Sequence, residues 1–526
     1  MNNKLNTILV AGGGTAGFIT ALILRAKLNK TVNIKMLIPK SIGIIGVGEG
    51  STEHFNSFIE FIGVERNNFL IKTDATIKSG IKFKNWTKNE YMHSLSSGFT
   101  DNLGLDKPIF QYLIANKVHP KYNVDYYTWN SLVGDFDNLG QKVAYGGFFQ
   151  FHFNTFKLNE QLTYIAKQLG IEIIDDEIVD AVVGEKGIEK IIGKKQEYMA
   201  DLYIDSTGFK RVLMNKLGAK WNSYSKYLKL KEAIAFPTEE ESEYKMYTTA
   251  QAMNYGWMWK IPVIGRNGNG YIYDTDYINK EKAIEEVEKF LGKKIEVARH
   301  IKFEPGALDN VWIKNCVAVG LSANFIEPLE ATSIGTSINQ AFVLMHTVAN
   351  NNESTIKSYN TAVRNIMENT RDFVALHYIT ERNDTQFWKD LKHVELPDKL
   401  KFYLEIWKNR LITTFDMNDG VYDLFHSDNF NQVAYAHNLI NTESIKKCLE
   451  AQDKITLDAA LEITWRFLKP KTSKQTNYLH HKEYMEQMRK VKQHNLIMWQ
   501  LPEIKNNIEN PFRSTKQWHE IINYDI

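Results

Sequence analysis

Three glycines near the start of the chain have the spacing of a phosphate-binding turn. Gly12, Gly14 and Gly17 follow a short apolar run and open an apolar segment with helical character. In G-x-G-x-x-G the first glycine permits the tight turn, the second lets backbone approach a pyrophosphate, and the third allows close helix–strand packing. Amide groups at the helix N-terminus then face the phosphates. The pattern predicts a dinucleotide site at residues 12–17; a glycine turn without a ligand is the alternative.

Two tryptophans in the middle of the chain are separated by one residue. Trp257 and Trp259 begin W-x-W-x-I-P at residues 257–262. Side chains at i and i+2 of a strand project from one face, so packing in a core is a structural reading of the same pattern. The motif is also the signature of flavin-dependent halogenases, and the chain resembles the tryptophan-halogenase-like members of that family. Further similar stretches, within roughly residues 5–390, are 77–86, 205–210, 315–321, 325–332, 371–373 and 384–388.

This resemblance implies an α/β fold with an FAD-binding, Rossmann-like domain of the GR2-type flavoprotein monooxygenase kind, a β-meander and a mostly helical C-terminal substrate region. It implies a core at residues 1–390, with substrate-side insertions around 86–150 and 221–300, and a helical substrate-binding region at 391–526. The cofactor residues it implies are Gly12, Gly13, Gly14, Thr15, Ala16, Gly17, Gly48, Glu49, Gly50, Ile178, Gly320, Leu321 and Ile334.

Three observations bear on how the flavin is bound and how it is reduced. The second apolar run ends in Pro39 and Lys40, with no acid to accept ribose hydroxyls, so adenosine contacts are expected from elsewhere. The glycine cluster at 46–50 could bring amides close to a flavin, although a surface turn is the plain alternative. No second strand-embedded G-x-G-x-x-G is evident for a nicotinamide nucleotide. We therefore expect FADH2 to arrive from a separate flavin reductase.

In the family that the chain resembles, reduced FAD and oxygen convert a halide into hypohalous acid, which travels through an internal passage to the substrate. Lys78 falls on the position of the family's catalytic lysine, with Lys82 and Lys84 as ordinary neighbours. An ammonium can donate hydrogen bonds to the hypohalous oxygen and polarise the O–X bond, or it can carry the halogen as a haloamine. Outside the motif, a lysine in a charged stretch would be read as solvated surface.

The resemblance places the family's catalytic carboxylate on Glu330, which could orient the oxidant or remove the ring proton. Glu327 is the competing acid, on the wrong motif position, and either glutamate alone would be read as a capping or exposed residue. The family's halide is held by backbone amides that correspond to Thr332 and Ser333. Because Ser333 replaces the usual glycine and Ala331 the usual serine, the pocket's size and backbone conformation are expected to differ, and the halide is left unassigned.

The resemblance implies an electron-rich aromatic substrate of the indole, phenol or pyrrole type, with free tryptophan as one candidate. Phe425, Phe430 and Tyr435 could stack on such a ring, or could belong to the core. A flavin monooxygenase that hydroxylates an aromatic compound is the second functional reading, and halide dependence separates the two. A flavin-binding protein without catalysis is the third, against which the retention of Lys78 and Glu330 argues.

The elements that must position these residues can be read from apolar patterning. Residues 7–11 and 32–38 read as strands flanking a helix over 18–28. Four β-type runs at 171–174, 179–183, 188–192 and 202–204 suggest a β-meander that feeds back to the dinucleotide domain. From about residue 337 the spacing becomes helical, as in 356–369 and 457–468.

Composition bounds the functional classes. A chain of 526 residues with 43% apolar residues can bury a large core. Its formal charge of +2 offers no broad attraction for nucleic acid. The chain has two cysteines, Cys316 and Cys448, which are too few for a disulfide framework or a cysteine-based metal site. We therefore expect no bound metal and a cytoplasmic location. No apolar run approaches a membrane span, and a homo-oligomer is left open.

Overall fold

The structure is a computed structural model in which most of the chain is described. The described residues are 5–40, 43, 49–94, 150–417, 422–455, 458–459, 462 and 478–490, together with short strands at 118–119, 124–125 and 142–144. Gly48 and the rest of 44–48 lie outside them, as does most of the expected insertion at 86–150.

Strands occur in two stretches, before residue 100 and between 118 and 325, with one more near residue 480. The strands are β1 Thr7–Ala11, β2 Asn33–Leu37, β3 Glu49–Gly50, β4 Thr76–Lys78, β5 Gly80–Lys84, β6 Tyr91–Ser94, β7 Val118–His119, β8 Val124–Asp125, β9 Lys142–Ala144, β10 Gln150–Phe153, β11 Glu172–Ile174, β12 Ile178–Gly184, β13 Gly187–Gly193, β14 Glu197–Tyr198, β15 Leu202–Asp205, β16 Trp221–Ser223, β17 Glu232–Thr238, β18 Tyr247–Ala252, β19 Gly256–Val263, β20 Arg266–Tyr273, β21 Arg299–Lys302, β22 Gly306–Leu308, β23 Trp312–Ile313, β24 Cys316–Ala318, β25 Asn324–Phe325 and β26 Tyr478–His480.

Helices dominate the chain after residue 330. The helices are α1 Thr15–Lys27, α2 His54–Phe61, α3 Arg66–Lys72, α4 Thr155–Gln168, α5 Val212–Lys216, α6 Lys280–Leu291, α7 Thr332–Thr347, α8 Glu353–Leu376, α9 Gln386–Asp390, α10 Asp398–Trp407, α11 Thr414–Met417, α12 Ser427–Ala436, α13 Thr442–Glu450 and α14 His481–Lys490.

A six-stranded sheet in the order β11-β2-β1-β15-β24-β23 carries the glycine turn. Strand β1 pairs in parallel with both β2 and β15, and only β23 runs antiparallel. Parallel neighbours require a crossover, which α1 supplies between β1 and β2. Because both faces are covered, the strand residues from Ile8 to Ala11 are apolar and fully buried rather than alternating.

Two further sheets position the centre of the molecule. A seven-stranded sheet in the order β21-β17-β20-β19-β18-β5-β6 contains the tryptophan motif on β19. A small antiparallel sheet, β3-β10-β4, carries Lys78 at the end of β4, where Gln150 of β10 is its directly opposite residue. Ser79 alone separates β4 from β5, so the lysine lies at the junction between the two sheets.

The C-terminal helix α14 reaches back to the strand that carries Lys78. The backbone N–H of Ile77 donates to Nε2 of His481 at 2.9 Å, and Nδ1 of the same ring donates to the carbonyl oxygen of Tyr244 at 3.1 Å. Burial lowers the pKa of His481 to about 4, which keeps Nε2 available as an acceptor. A histidine more than 400 residues away in sequence therefore completes the hydrogen bonding of β4.

The predicted α/β class with a helical C-terminal region is confirmed. The predicted strand–helix–strand unit is β1-α1-β2. Of the four expected meander runs, only those at β12 and β13 form a meander, together with β14; those at β11 and β15 belong to the six-stranded sheet. The expected helix at 356–369 lies within α8, whereas of 457–468 only 458–459 and 462 are described. The domain division at residue 390 stays a prediction.

Among the described residues, no helix combines the length and apolar composition that crossing a bilayer requires. The same residues contain no group of three histidine, cysteine or acidic side chains that could hold a metal ion.

Candidate active site

The glycine turn forms one wall of a cavity of about 620 Å³. Gly12, Gly13, Gly14, Thr15 and Ala16 all line it. At Gly12, φ is +113° and a β-carbon would lie 2.3 Å from the carbonyl oxygen of Ser206, the residue after β15. This position therefore requires glycine. A β-carbon on Gly14 would instead project into open space. That space is where the second glycine of such a turn admits a pyrophosphate.

Gly17 has a different role from the other residues of the turn. It does not line the cavity, because it faces strand β15 and its added β-carbon would lie 2.8 Å from the hydroxyl of Ser206. This is the close helix–strand packing expected of the third glycine. The cavity-facing part of the turn is therefore 12–16.

The cavity is also lined by the remaining described residues predicted to bind the cofactor, apart from Gly17, namely Glu49, Gly50, Ile178, Gly320, Leu321 and Ile334. Oε2 of Glu49 is buried and has no hydrogen-bond partner among the described residues. Burial raises the pKa of Glu49 to about 7. An unpaired buried carboxyl oxygen is costly unless a ligand group satisfies it, so this wall suits a ligand with hydroxyl or N–H donors.

The cavity wall contains an acid that the sequence pattern did not reveal. Glu177 lines the cavity just after β11, the strand that pairs with β2. No acid ends β2, but this one follows the neighbouring strand and reaches the same cavity, while its Oε2 accepts from Lys194. Together, the open space at Gly14, the unpaired oxygen of Glu49 and this second acid fit an FAD molecule.

Lys78 lies behind the cavity wall rather than on it. Its side chain is fully buried, and Nζ lies 3.4 Å from the position that a β-carbon on Gly50 would occupy. Nζ donates to the carbonyl oxygen of Ser51 at 2.7 Å, its one acceptor among the described residues. Burial lowers the pKa of Lys78 to about 7, against the opposing influence of the Glu330 and Glu53 carboxylates.

Glu330 is held between two buried imidazoles. Its Oε2 contacts Nδ1 of His93 at 2.9 Å, and its Oε1 contacts Nε2 of His377 at 2.9 Å. Burial alone would raise the pKa of Glu330, but the electrostatic influence of His93 and hydrogen bonds from both rings lower it to about 2. The side chain is therefore ionised and fixed in orientation, although it also does not line the cavity.

The other ring nitrogens define where protons lie. Asn429 accepts from the backbone of His426 through Oδ1, so its Nδ2 donates to Nε2 of His93, and Nδ1–H of His93 donates to Glu330. Nδ1 of His377 faces the carbonyl oxygen of Phe373 at 2.9 Å and must donate to it. Because the ionised carboxylate of Glu330 can only accept, Nε2 of His377 must carry a second proton in order to donate to it. The sequence reading missed both histidines; His377 sits six residues after Arg371 of a recognised stretch.

The predicted halide residues follow directly at the start of α7. Ala331, the residue between Glu330 and the helix, has φ of +56°, a left-handed conformation that is strained for alanine. Ser333 lines the cavity, whereas Thr332 is buried and does not. The helix N-terminus thus presents free amides between the cavity and Glu330.

The tryptophan motif supports the second acid, Glu327. Trp257 and Trp259 are buried neighbours on β19 with ring centroids 6.0 Å apart, which confirms the structural reading of the motif. Nε1 of Trp257 donates to Oε2 of Glu327 at 2.7 Å, and the hydroxyl of Tyr378 donates to the same oxygen. Burial raises the pKa of Glu327 to about 7. Trp259 lines the cavity, so one motif serves both the acid and the cavity wall.

The aromatic residues of the C-terminal region are mainly structural. Phe425 and Phe430 are almost fully buried and pack on Phe373, with ring centroids 4.0 and 4.9 Å apart. Phe373 in turn contacts the His377 ring edge-on at 5.0 Å. These phenylalanines therefore support the histidines that hold Glu330, while Tyr435 is partly buried against the same core.

The chain is similar to known halogenases over most of its length. The tryptophan halogenase family model matches residues 7–454. Tryptophan 6-halogenase SttH of Streptomyces toxytricini is 32% identical over 444 residues, covering 77% of this chain and 84% of that one. Tryptophan 7-halogenase RebH of Lentzea aerocolonigenes is 28% identical over 441 residues, covering 78% and 83%.

Solved structures give the same result. The tryptophan halogenase of Shewanella frigidimarina superposes with a TM-score of 0.84 at 25% identity, covering 94% of this chain and 100% of that one. Tar14, a tryptophan C-6 flavin-dependent halogenase from taromycin biosynthesis, has a TM-score of 0.77 at 28% identity, covering 93% and 100%. On the length of the family match and on these likenesses, the chain belongs to the flavin-dependent tryptophan halogenase family.

Proposed function

We propose that this protein uses FADH2 from a separate flavin reductase, oxygen and a halide ion to halogenate an electron-rich aromatic compound. Its relatives named above are tryptophan halogenases, which favours an indole substrate, free tryptophan included. Phenols and pyrroles share the electron-rich ring that electrophilic halogenation requires, so they belong to the same substrate class.

In this proposal the cavity holds FAD. The amides at 12–16 face the pyrophosphate, Glu177 accepts from the ribose of the adenosine part, and Glu49 and Gly50 lie against the flavin part. When bound and reduced, the flavin would pass two electrons to oxygen, and the oxygen activated in this way would oxidise a halide to hypohalous acid by taking two more electrons from it. Ser333 and the free amides at the start of α7 hold the halide at the wall shared with Gly50.

Lys78 receives the oxidised halogen behind that wall. With one N–H used on Ser51, the ammonium retains two donors for the oxygen of hypohalous acid. A buried, incompletely hydrated ammonium polarises the O–X bond more strongly than one in water would. Transfer of the halogen as a haloamine uses the neutral form of the same residue, which a pKa of about 7 also makes available.

Glu330 provides the negative charge on the substrate side. Two ring N–H groups fix its carboxylate and leave further lone pairs, so it can orient the oxidant or accept the proton that the ring loses after halogen addition.

The observation that carries the proposal is the position of Lys78. Its side chain is fully buried directly behind Gly50, a residue that lines the cavity, and the carboxylate of Glu330 influences its pKa. The test supplies the purified protein with FAD, a flavin reductase, NADH and oxygen. Indoles, phenols and pyrroles are screened with chloride, bromide and iodide by mass spectrometry. We expect a halogenated product that requires halide; a hydroxylated product formed without halide would replace the proposal by a monooxygenase.

A further inference from the structure

A second buried polar side chain, the amide of Gln150, lies beside Lys78. Gln150 lies directly opposite Lys78 in the antiparallel pair β10-β4, and its side chain is fully buried. Directly opposite residues of such a pair project from the same face, with their β-carbons roughly 5 Å apart. The side chains of Gln150 and Lys78 therefore project from the same face of the sheet, next to each other.

The hydrogen bonds of Gln150 fix which end of its amide faces outward. Nε2 donates to Oε2 of Glu53 at 3.0 Å. A carboxylate only accepts, so the amide nitrogen must face Glu53 and the oxygen must face away from it. Among the described residues, that oxygen is buried without any hydrogen-bond partner. A buried carbonyl oxygen left unpaired is unfavourable, which indicates a ligand with a donor.

Within the described part of the chain, the ammonium of Lys78 and the amide oxygen of Gln150 both have unused hydrogen-bonding capacity, and the two are complementary. Lys78 has two N–H donors beyond its bond to Ser51, whereas Gln150 offers one acceptor, and the two side chains do not hydrogen-bond each other. Hypohalous acid has an oxygen that accepts, a hydroxyl that donates, and a halogen that does neither strongly. Held by both residues, it would present its halogen away from them.

We propose that Oε1 of Gln150 accepts the hydroxyl hydrogen of hypohalous acid while Lys78 donates to its oxygen, so that Gln150 is the second binding residue for the oxidant. This inference rests on the proposed function. The halogen then passes to the ring carbon, the ring loses its proton, and the oxygen departs as water, so that aromatic C–H and HOX give C–X and H2O. Gln150 retains its atoms throughout and acts by retention and orientation.

The test measures how oxidised halide is divided between substrate and solution. Gln150→Met keeps the side-chain length without the acceptor. In the reconstituted system with bromide and an accepted indole, ring product is quantified by chromatography, and escaped hypohalous acid is captured with monochlorodimedone. We expect flavin binding and total oxidised bromide within about twofold of wild type, while the share reaching the ring falls at least about fivefold.

Gln340→Met is the matched control. Gln340 is also a buried glutamine whose amide oxygen has no partner among the described residues, but its Nε2 donates to Ala318 and it does not line the cavity. It tests the general cost of removing a buried amide, and its product share is expected to equal that of wild type. An unchanged share in Gln150→Met, or an equal loss in both variants, overturns the inference.

A second variant covers misfolding. Gln150→Glu combined with Glu53→Gln keeps the hydrogen bond between the two side chains, with donor and acceptor exchanged, and keeps an acceptor oxygen at position 150. The share is expected to remain within about threefold of wild type, and a loss as large as that of Lys78→Ala would overturn the inference. Failure of the proposed function has a different signature. In that case the wild-type protein itself yields neither ring product nor captured hypohalous acid with any halide.

Discussion

Nε2–H of His377 donates a hydrogen bond to Oε1 of Glu330 across 2.9 Å, in a place where neither side chain is exposed to solvent. Because the other nitrogen of the ring must donate to a carbonyl oxygen, the pair carries one proton more than a carboxylate beside a neutral imidazole. This arrangement keeps the carboxylate ionised and makes its orientation depend on α8, the helix from which His377 follows.

Replacing His377 by phenylalanine should move the acid limb of the pH–rate profile. Burial raises the pKa of Glu330 and the two histidines lower it, so loss of one shifts that pKa upward from about 2. The ionised form that the reaction uses would then be lost at a higher pH as the pH falls. We expect the acid limb of indole halogenation to rise by at least about one pH unit. An unmoved limb with reduced turnover would assign His377 a purely structural role.

Lys78→Ala should abolish ring halogenation while leaving flavin binding intact, because the ammonium acts after flavin chemistry. We expect a loss of at least about a thousandfold in product formation, with flavin affinity measured by fluorescence within about twofold. Lys84→Ala is the control, since this lysine lies on the adjacent strand β5, partly exposed near Glu90. Full activity in the Lys78 variant would remove the mechanism.

Glu330→Gln should lower turnover by roughly a hundredfold or more while hypohalous acid continues to form. The neutral amide cannot accept from both imidazoles, and it cannot balance the positive charge of a His377 ring that is protonated on both nitrogens. Glu327→Gln is its matched control, because an amide oxygen can accept from Trp257 and Tyr378 as the present side chain does. Product and monochlorodimedone assays distinguish the steps. Equal rates in both variants and wild type would return Glu330 to a structural role.

Delivery of halogen to the ring should weaken as the pH rises. The ammonium form of Lys78 predominates below its lowered pKa of about 7 and is lost above it. If the ammonium is the active form, the product share falls roughly tenfold per pH unit above about pH 8, and captured hypohalous acid rises in proportion. A share that increases over the same range would instead support the haloamine route.

Gly14→Ala should weaken FAD binding without affecting the protein alone. A β-carbon there meets no atom of the protein, so the melting temperature of the flavin-free form is expected to stay within about two degrees of wild type. The same β-carbon would occupy the space assigned to the pyrophosphate, and a loss of at least about tenfold in flavin affinity is expected by titration. Unchanged affinity would place the phosphates elsewhere.

The elements near the N-terminus were predictable because their signals are local. A glycine spacing and an unbroken apolar run determine β1, α1 and the turn between them. The site was only partly predictable. Motif positions indicated Lys78 and Glu330, but His93 and His377 come from separate elements and meet Glu330 only through tertiary packing. No spacing rule could place Gln150 beside Lys78, because the register between two strands that are distant in sequence cannot be deduced from the sequence of either strand.

The bond from Ile77 to His481 has a consequence for how the chain can be shortened. The family match ends at residue 454, yet the acceptor that satisfies the backbone just before Lys78 comes from beyond it. A protein trimmed to the shared length would retain every residue assigned to chemistry and still lose an anchor of the strand that presents the ammonium. Helix α14 thus supports the strand that ends in Lys78 although it lies beyond the family match.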